Sequence, residues 1–365
     1  MSTIKEVISA IEKFAPLSYQ ESYDNAGLIV GNANEEVKGV LLCLDSIEET
    51  IDEAISKKCN LVIAHHPIVF SGLKSITGKN YIERTIVKAI KNDIAIYAAH
   101  TNLDNVKQGV NKKIADKIGL EKLNILSPKS NELKKLVCFV PKTHLNEVRT
   151  ALFNSGCGEI GNYDQCSFNI EGTGTFRAGE NTNPFVGNKG EMHQEEEIRV
   201  ESIFESYKQS KIISAMIAAH PYEEVAYDIY PLSNKNQEVG SGMVGELPKE
   251  MSETDFLQHL KQTFNAEGIR YTNLTNQPVK KVAVCGGSGS FLLPAAIQQG
   301  CDVFVTADFK YHQFFDAENK IVIADIGHYE SEQFTVEIFD DIIKENFSTF
   351  ATYFSETKTN PINYL

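Results

Sequence analysis

The chain has no C-x-x-C pair, no cluster of lysine and arginine, and no apolar run near the ~20 residues that a membrane-spanning helix needs. Each absence excludes something. Its seven cysteines (Cys43, Cys59, Cys138, Cys157, Cys166, Cys285 and Cys301) are dispersed and odd in number, which suits free buried thiols in a reducing compartment and gives no support to a zinc ribbon. Without a basic patch, a formal net charge of −14 argues against general nucleic-acid binding, because backbone phosphates would meet a negative surface. A phosphorylated small molecule is still admissible if metal ions supply positive charge. The N-terminal stretch MSTIKEVISAIEKF carries charges through its apolar stripe, so it reads as an amphipathic helix and not a secretion signal. These features together predict a cytoplasmic protein with no membrane contact.

Within 365 residues, 42% apolar, there is room for one large or two ordinary domains. Residues 1–127 alternate helix and strand, with helices over Ile4 to Phe14, Glu48 to Lys58, Tyr81 to Asn92 and Asn111 to Ile118. The strands between them are Val37 to Leu44, Leu61 to Ala64 and Ile94 to Ala99. Short apolar strands between amphipathic helices predict a mostly parallel sheet covered on both faces. Residues 128–237 differ. They read as strand, helix, strand, strand, helix, strand (Leu136 to Val140, Leu145 to Ser155, Tyr163 to Ile170, Arg199 to Phe204, Lys208 to Ala219, Tyr227 to Leu232). Gly172 to Gln194 reads as a mobile loop, and the order suggests a ferredoxin-like α+β module. From 238 to 365 the α/β alternation resumes, through strands Lys281 to Cys285, Val303 to Thr306 and Ile321 to Asp325. Helices are expected over Phe291 to Gln299, Tyr311 to Asn319 and Glu330 to Asn346. The fold expected is a split three-layer α/β domain carrying an inserted domain whose ends lie close together.

Three of these strands are followed by metal-ligand residues. LVIA leads into His65-His66-Pro67, IAIYAA into His100-Thr101-Asn102-Leu103-Asp104, and IVIAD into Ile326-Gly327-His328. Open α/β sheets bind ligands beyond the carboxyl ends of their strands, so the three clusters are expected on one edge. Adjacent strand residues face opposite ways, but Pro67 takes the chain out of the strand, where His65 and His66 can serve two neighbouring ions. His328 and Glu332 are four apart at a helix start and share a face. The candidate metal ligands are therefore His65, His66, Asp104, His328 and Glu332. Three imidazoles and two carboxylates exceed what one open site takes. Shared between two ions with a bridging carboxylate, they give about three protein ligands each. The donor set suits zinc, iron, manganese, cobalt or nickel without separating them.

Other residues invite plainer readings. His100 is expected to be structural or to support a ligand, and Glu330 to be a solvated acid that could substitute for Glu332. His144, His193 and His259 have no clustered partners and are expected at the surface. Gly286-Gly287-Ser288-Gly289 is either a phosphate cradle built from backbone N–H groups or a tight turn. Tyr311 or His312 is either an acid or base of the reaction or, as a His after a Tyr at a helix start, a support for the ligands.

AHHP, HTNLDN and GHYESE resemble the Nif-three-like dinuclear-metal-centre proteins, the GTP cyclohydrolase 1 type 2 homologues. Asp24-Asn25-Ala26-Gly27-Leu28-Ile29-Val30-Gly31 and Thr306-Ala307-Asp308-Phe309-Lys310-Tyr311-His312 look like further motifs of that family. Tyr23 stands where the family often has Trp, a departure that touches no ligand. The resemblance implies that His66 and Asp104 hold one ion and His65 and His328 the other, with Glu332 shared, in a toroidal homohexamer. The insert, ending in Ala219-His220-Pro221-Tyr222-Glu223-Glu224, resembles the signalling-protein or cation-tolerance modules of the longer bacterial members. His220 with Glu223 and Glu224 is either a minor metal site or a helix-end turn. Metal-assisted hydrolysis of a nucleotide or phosphoester is the function expected. The rival is a non-enzymatic metal-binding, metal-chaperone or regulatory protein whose insert senses a small molecule.

Overall fold

The computed structural model describes residues 2–365. Contacts divide them into two units, one formed by the segments up to Pro128 and from Glu238, the other by Lys129–Gln237. In the first unit the opening helix, Ile4–Phe14, starts at a capping box in which Thr3 and Glu6 satisfy each other's backbone N–H groups. Its buried stripe of Ile4, Val7, Ile8 and Ile11 is the one its spacing predicts.

The apolar strands of this unit form two sheets where one was expected. The first is ordered β1-β4-β3-β2-β15, from Gly27–Val30, Ala95–Ala98, Leu61–Ala64, Gly39–Cys43 and Ala351–Phe354. Strands β2, β3, β4 and β15 run parallel, and β1 lies antiparallel on the β4 edge. Strands β2, β3 and β4 are buried along their whole length, as continuous apolar runs must be when both faces are covered. The second sheet is ordered β11-β14-β13-β12-β10-β5, from Arg270–Tyr271, Val322–Asp325, Val303–Ala307, Val279–Ser288, Gly240–Met251 and Glu121–Pro128. Only β12, β13 and β14 are parallel. Strands β11, β10 and β5 add antiparallel pairings around them. The long β10 escapes a sequence reading because Gly240, Gly242 and Gly245 interrupt its apolar alternation.

Helix boundaries shift for local reasons. The helix expected over Glu330 to Asn346 is two helices, His328–Glu332 and Thr335–Asn346. The segment Tyr311–Ala317 is a 3-10 helix and not an α-helix.

In the second unit four strands are ordered β7-β8-β6-β9, from Phe168–Arg177, Met192–Glu205, Leu133–Pro141 and Tyr227–Pro231, all antiparallel. Helices Leu145–Ser155 and Gln209–Ala219 pack on one face through Val148, Leu152, Ile212 and Met216, which meet Ile198 and Val200 of β8. The expectation of a loop from Gly172 to Gln194 is corrected at both ends. Gly172 to Arg177 belong to β7 and Met192 to Gln194 to β8, paired from Gly172↔Glu197 to Arg177↔Met192. This extension is largely exposed, so it lacks the apolar alternation by which a half-buried strand is read. Conversely, Tyr163 precedes the strand it was assigned to and makes only an isolated bridge with Ile160.

Candidate metal centre

Strand β3 ends at Ala64, immediately before His65; β4 ends at Ala98, with Ala99 before His100; and β14 ends at Asp325, with Ile326 and Gly327 before His328. The first two belong to one sheet and β14 to the other, so the candidate ligands come from the carboxyl ends of two sheets, not from one edge. The short helix His328–Glu332 brings its two functional side chains together, with His328 Nε2 and Glu332 Oε2 3.0 Å apart.

All five predicted ligands meet. Glu332, 3% exposed, turns its two carboxylate oxygens to different neighbours. Oε1 lies 3.7 Å from His65 Nε2, which lies 3.6 Å from Asp104 Oδ1. Oε2 lies 2.9 Å from His66 Nε2, which lies 3.2 Å from His328 Nε2. The ligand atoms fall in three groups close enough to hold an ion, two of them sharing Glu332, His65-Asp104-Glu332 and His66-His328-Glu332, and a third formed by His65, His66 and His100. The resemblance pairs the same residues differently, His66 with Asp104 and His65 with His328, and Glu332 is common to both arrangements. His65 and His66 lie just past the end of β3, where the chain is free of strand geometry and the two imidazoles reach different oxygens of Glu332.

Hydrogen bonds on the far side of each ring fix which nitrogen faces the centre. His65 Nδ1 is 2.8 Å from the Ala99 carbonyl oxygen, which can only accept, so Nδ1 carries the proton and Nε2 presents its lone pair. His66 Nδ1 and His328 Nδ1 are 2.7 Å from Asp45 and Asp308 carboxylate oxygens, giving the same orientation. These two carboxylates were not identified from sequence in this role. The signal was available, because Asp45 follows β2 and Asp308 follows β13 in the same strand-end position as the ligands.

The donor set fits a divalent cation, and two atoms say so most directly. His65 Nε2 and Asp104 Oδ1 are both buried and lack any hydrogen-bond partner, a state that costs free energy unless something positive lies between them. Electrostatics agree. The charge of Glu332 raises the His328 pKa to about 11 against the opposing effect of burial. Burial favours neutral His66, but hydrogen bonds with Asp45 and Glu332 outweigh it and carry the imidazole to about 9. Enclosure, then the charge of Glu332, pushes Asp104 upward. Burial opposes ionisation of Glu332, yet the surrounding histidines bring it well below the usual carboxylate range. The cluster attracts protons, as a site built for cations should.

A family model for Duf34/NIF3 (NGG1p interacting factor 3) matches residues 2–361. The chain belongs to this family. It is 40% identical over 364 residues to the GTP cyclohydrolase 1 type 2 homolog of Halalkalibacterium halodurans, covering 98% of each chain. It is also 40% identical over 375 residues to that of Bacillus subtilis, covering 99% of this chain and 98% of the relative. A crystal structure of a Bacillus cereus protein related to NIF3 superposes with a TM-score of 0.88 at 41% identity, over 100% of this chain and 99% of that one.

Other predicted features of this NIF3-family chain are redefined. Gly286 to Ser288 end β12, and their amides are engaged: Gly286 donates to Asn111 Oδ1 and Gly287 to Ser331 Oγ. The phosphate-cradle reading is not supported. At Gly287 (φ +57°) a Cβ would lie 2.5 Å from Glu332 Oε1, so the glycine makes room for the carboxylate. Glu330 is buried, not solvated, and accepts from Asn360 Nδ2. His220 cannot ligate an ion, since Nε2 donates to the Phe139 carbonyl and Nδ1 accepts from the Tyr222 N–H; the helix-end turn is the correct reading. His259 is partly buried and donates to the Ile118 carbonyl, and His144 and His193 are also partly buried. Tyr311 and His312 are exposed, with ring contacts to each other and to Phe315.

His100 stands closer to the chemistry than expected. Its ring centroid is 5.3 Å from that of His65 and 5.4 Å from that of His66. Its Nδ1 is held 2.8 Å from Asp24 Oδ1, in the early Asp24-Asn25-Ala26-Gly27 motif. Burial opposes ionisation of Asp24, but hydrogen bonds from His100 and Thr101 bring its pKa down to about 2.

Proposed function

We propose that this protein holds two divalent metal ions and uses them to hydrolyse a nucleotide or phosphoester-type small molecule. The observation that carries the reading is the division of Glu332, one oxygen toward His65 and Asp104 and the other toward His66 and His328. Glu332, His65, Asp104, His66 and His328 would hold the ions. Bound there, divalent ions would supply Lewis acidity and neutralise charge on an attacked oxygen.

The residues around the centre take definite tasks. Ala99, Asp45 and Asp308 hold the three imidazoles in the tautomer that presents Nε2. His100, held by Asp24 beside His65 and His66, would pass a proton to or from a substrate group. The names of the relatives from Halalkalibacterium halodurans and Bacillus subtilis favour a purine nucleotide within the substrate class. We further propose a cytoplasmic protein that assembles as a toroidal homohexamer. In it residues 1–127 and 238–365 form a split three-layer α/β domain, and residues 128–237 an inserted ferredoxin-like module.

The test is turnover of nucleotides and phosphoesters by protein loaded in turn with zinc, manganese and iron. Activity with at least one metal is expected, lost in Glu332→Ala at unchanged thermal stability. In His100→Gln, kcat should fall about 100-fold or more while metal content is retained. No turnover with any metal, from protein that binds two ions, would instead identify a metal-holding or regulatory protein. Light scattering should return six chains per particle, and a monomer or dimer would reject the hexamer.

A further inference from the structure

The antiparallel sheet of the 129–237 unit is covered by helices on one face only, that of Ile198 and Val200. Alternation along β8 sends Glu197 and Arg199 to the other face. That face carries a cavity of about 590 Å³, within the range of small-molecule sites. Its walls include Phe176 of β7, Phe185 of the connecting loop and Tyr222 beyond the second helix. The rings of Phe176 and Phe185 each lie 6.3 Å from that of Tyr222, centre to centre.

Glu197 is the unusual member. It lines the cavity yet is only 8% exposed, and its Oε1 accepts a hydrogen bond from the Tyr222 hydroxyl at 2.9 Å. Among the described residues no lysine, arginine or histidine forms an ion pair with it. The two arginines that line the cavity, Arg177 and Arg199, are at exposed positions, and Arg199 is paired with Glu201 at 2.9 Å. A carboxylate removed from water with a single neutral donor lacks the counter-charge that normally compensates its burial. Gly174 preserves the arrangement, because a Cβ there would lie 2.1 Å from Glu197 Oε2.

We propose that this cavity binds a small organic cation with an apolar or aromatic body, its charged nitrogen paired with Glu197 and its body against Phe176, Phe185 and Tyr222. The carboxylate supplies a charge-assisted hydrogen bond, and the ring faces attract the same cation. A neutral molecule of equal shape leaves Glu197 uncompensated, and an anion is repelled by it. The candidate metal ligands all lie in the other unit, outside residues 129–237.

Calorimetric titration of the full-length protein with phenethylammonium, 2-phenylethanol and 3-phenylpropanoate tests this at one ionic strength. The cation should bind about tenfold or more tightly than the alcohol, and the carboxylate most weakly. Glu197→Gln should weaken the cation about tenfold while leaving the alcohol within about twofold. Gly174→Ala, which displaces the carboxylate without removing it, should weaken the cation in the same direction, so the test survives a poorly folding Gln variant. Equal affinities, preference for the carboxylate, no binding of any probe, or a cation affinity unmoved in folded variants would each overturn the proposal.

Discussion

At the scale of single residues, the centre depends on atoms that have nothing else to bind. His65 Nε2 and Asp104 Oδ1 are buried and unsatisfied, while the Nδ1 atoms of His65, His66 and His328 are all committed to acceptors behind them. Gly287→Ala tests how tightly this is built. The added methyl would meet Glu332 Oε1, and the positive φ disfavours any side chain. A loss of about 1–3 kcal/mol in denaturant unfolding is expected, together with reduced metal content by elemental analysis. Tyr97 gives a contrasting case, because its hydroxyl is buried without a partner in β4. Tyr97→Phe should raise stability by about 1 kcal/mol in the same unfolding assay, since it removes an uncompensated polar group. The five candidate ligands, which the structure brings together, were legible in the sequence because histidine and carboxylate at strand ends carry chemistry whatever the surrounding fold. Their grouping was not, because it depends on which oxygen of Glu332 each imidazole reaches.

Elements show where local pattern decides and where tertiary contacts do. The parallel strands β2, β3, β4, β13 and β14 could be read directly, since a strand buried on both faces is a continuous apolar run. Division into two sheets was not legible, because periodicity carries no information about which strands pair. The hairpin extension of β7 and β8 was lost for the opposite reason: an exposed strand such as Phe168–Arg177 need not alternate. Helix Tyr81–Lys91 offers a test at this scale. Glu83 at its start is buried and accepts hydrogen bonds from the Thr77 and Lys79 N–H groups and the Thr77 hydroxyl. These bonds, the Thr77 N–H first among them, lower its pKa to about 2. A depressed carboxylate pKa contributes stability that is fully present above the unfolded value of about 4.3 and is lost as pH falls toward 2. Urea unfolding from pH 7 to pH 3 should show a declining acid limb that is shallower in Glu83→Gln. Equal slopes for the two proteins would contradict this assignment.

For the whole molecule, all five candidate ligands lie in the unit formed by the two end segments. The chain leaves that unit at Pro128 and returns at Glu238, and Gly240 pairs with Pro128 across β10 and β5. A short turn can therefore replace residues 129–237 without stretching either strand. A chain shortened in this way should fold and take up metal with the stoichiometry of the full-length protein, measured by elemental analysis. The acidic balance of −14 fits this picture, since divalent cations are drawn to such a surface and phosphate backbones are not. The central claim is that Glu332 divides the cluster between two ions. Elemental analysis of metal-reconstituted protein tests it most directly. We predict two divalent ions per chain in the native protein and a loss of both, or of all but one weakly held ion, in Glu332→Gln. A single ion per chain in the native protein, or two ions retained by the variant, would contradict it.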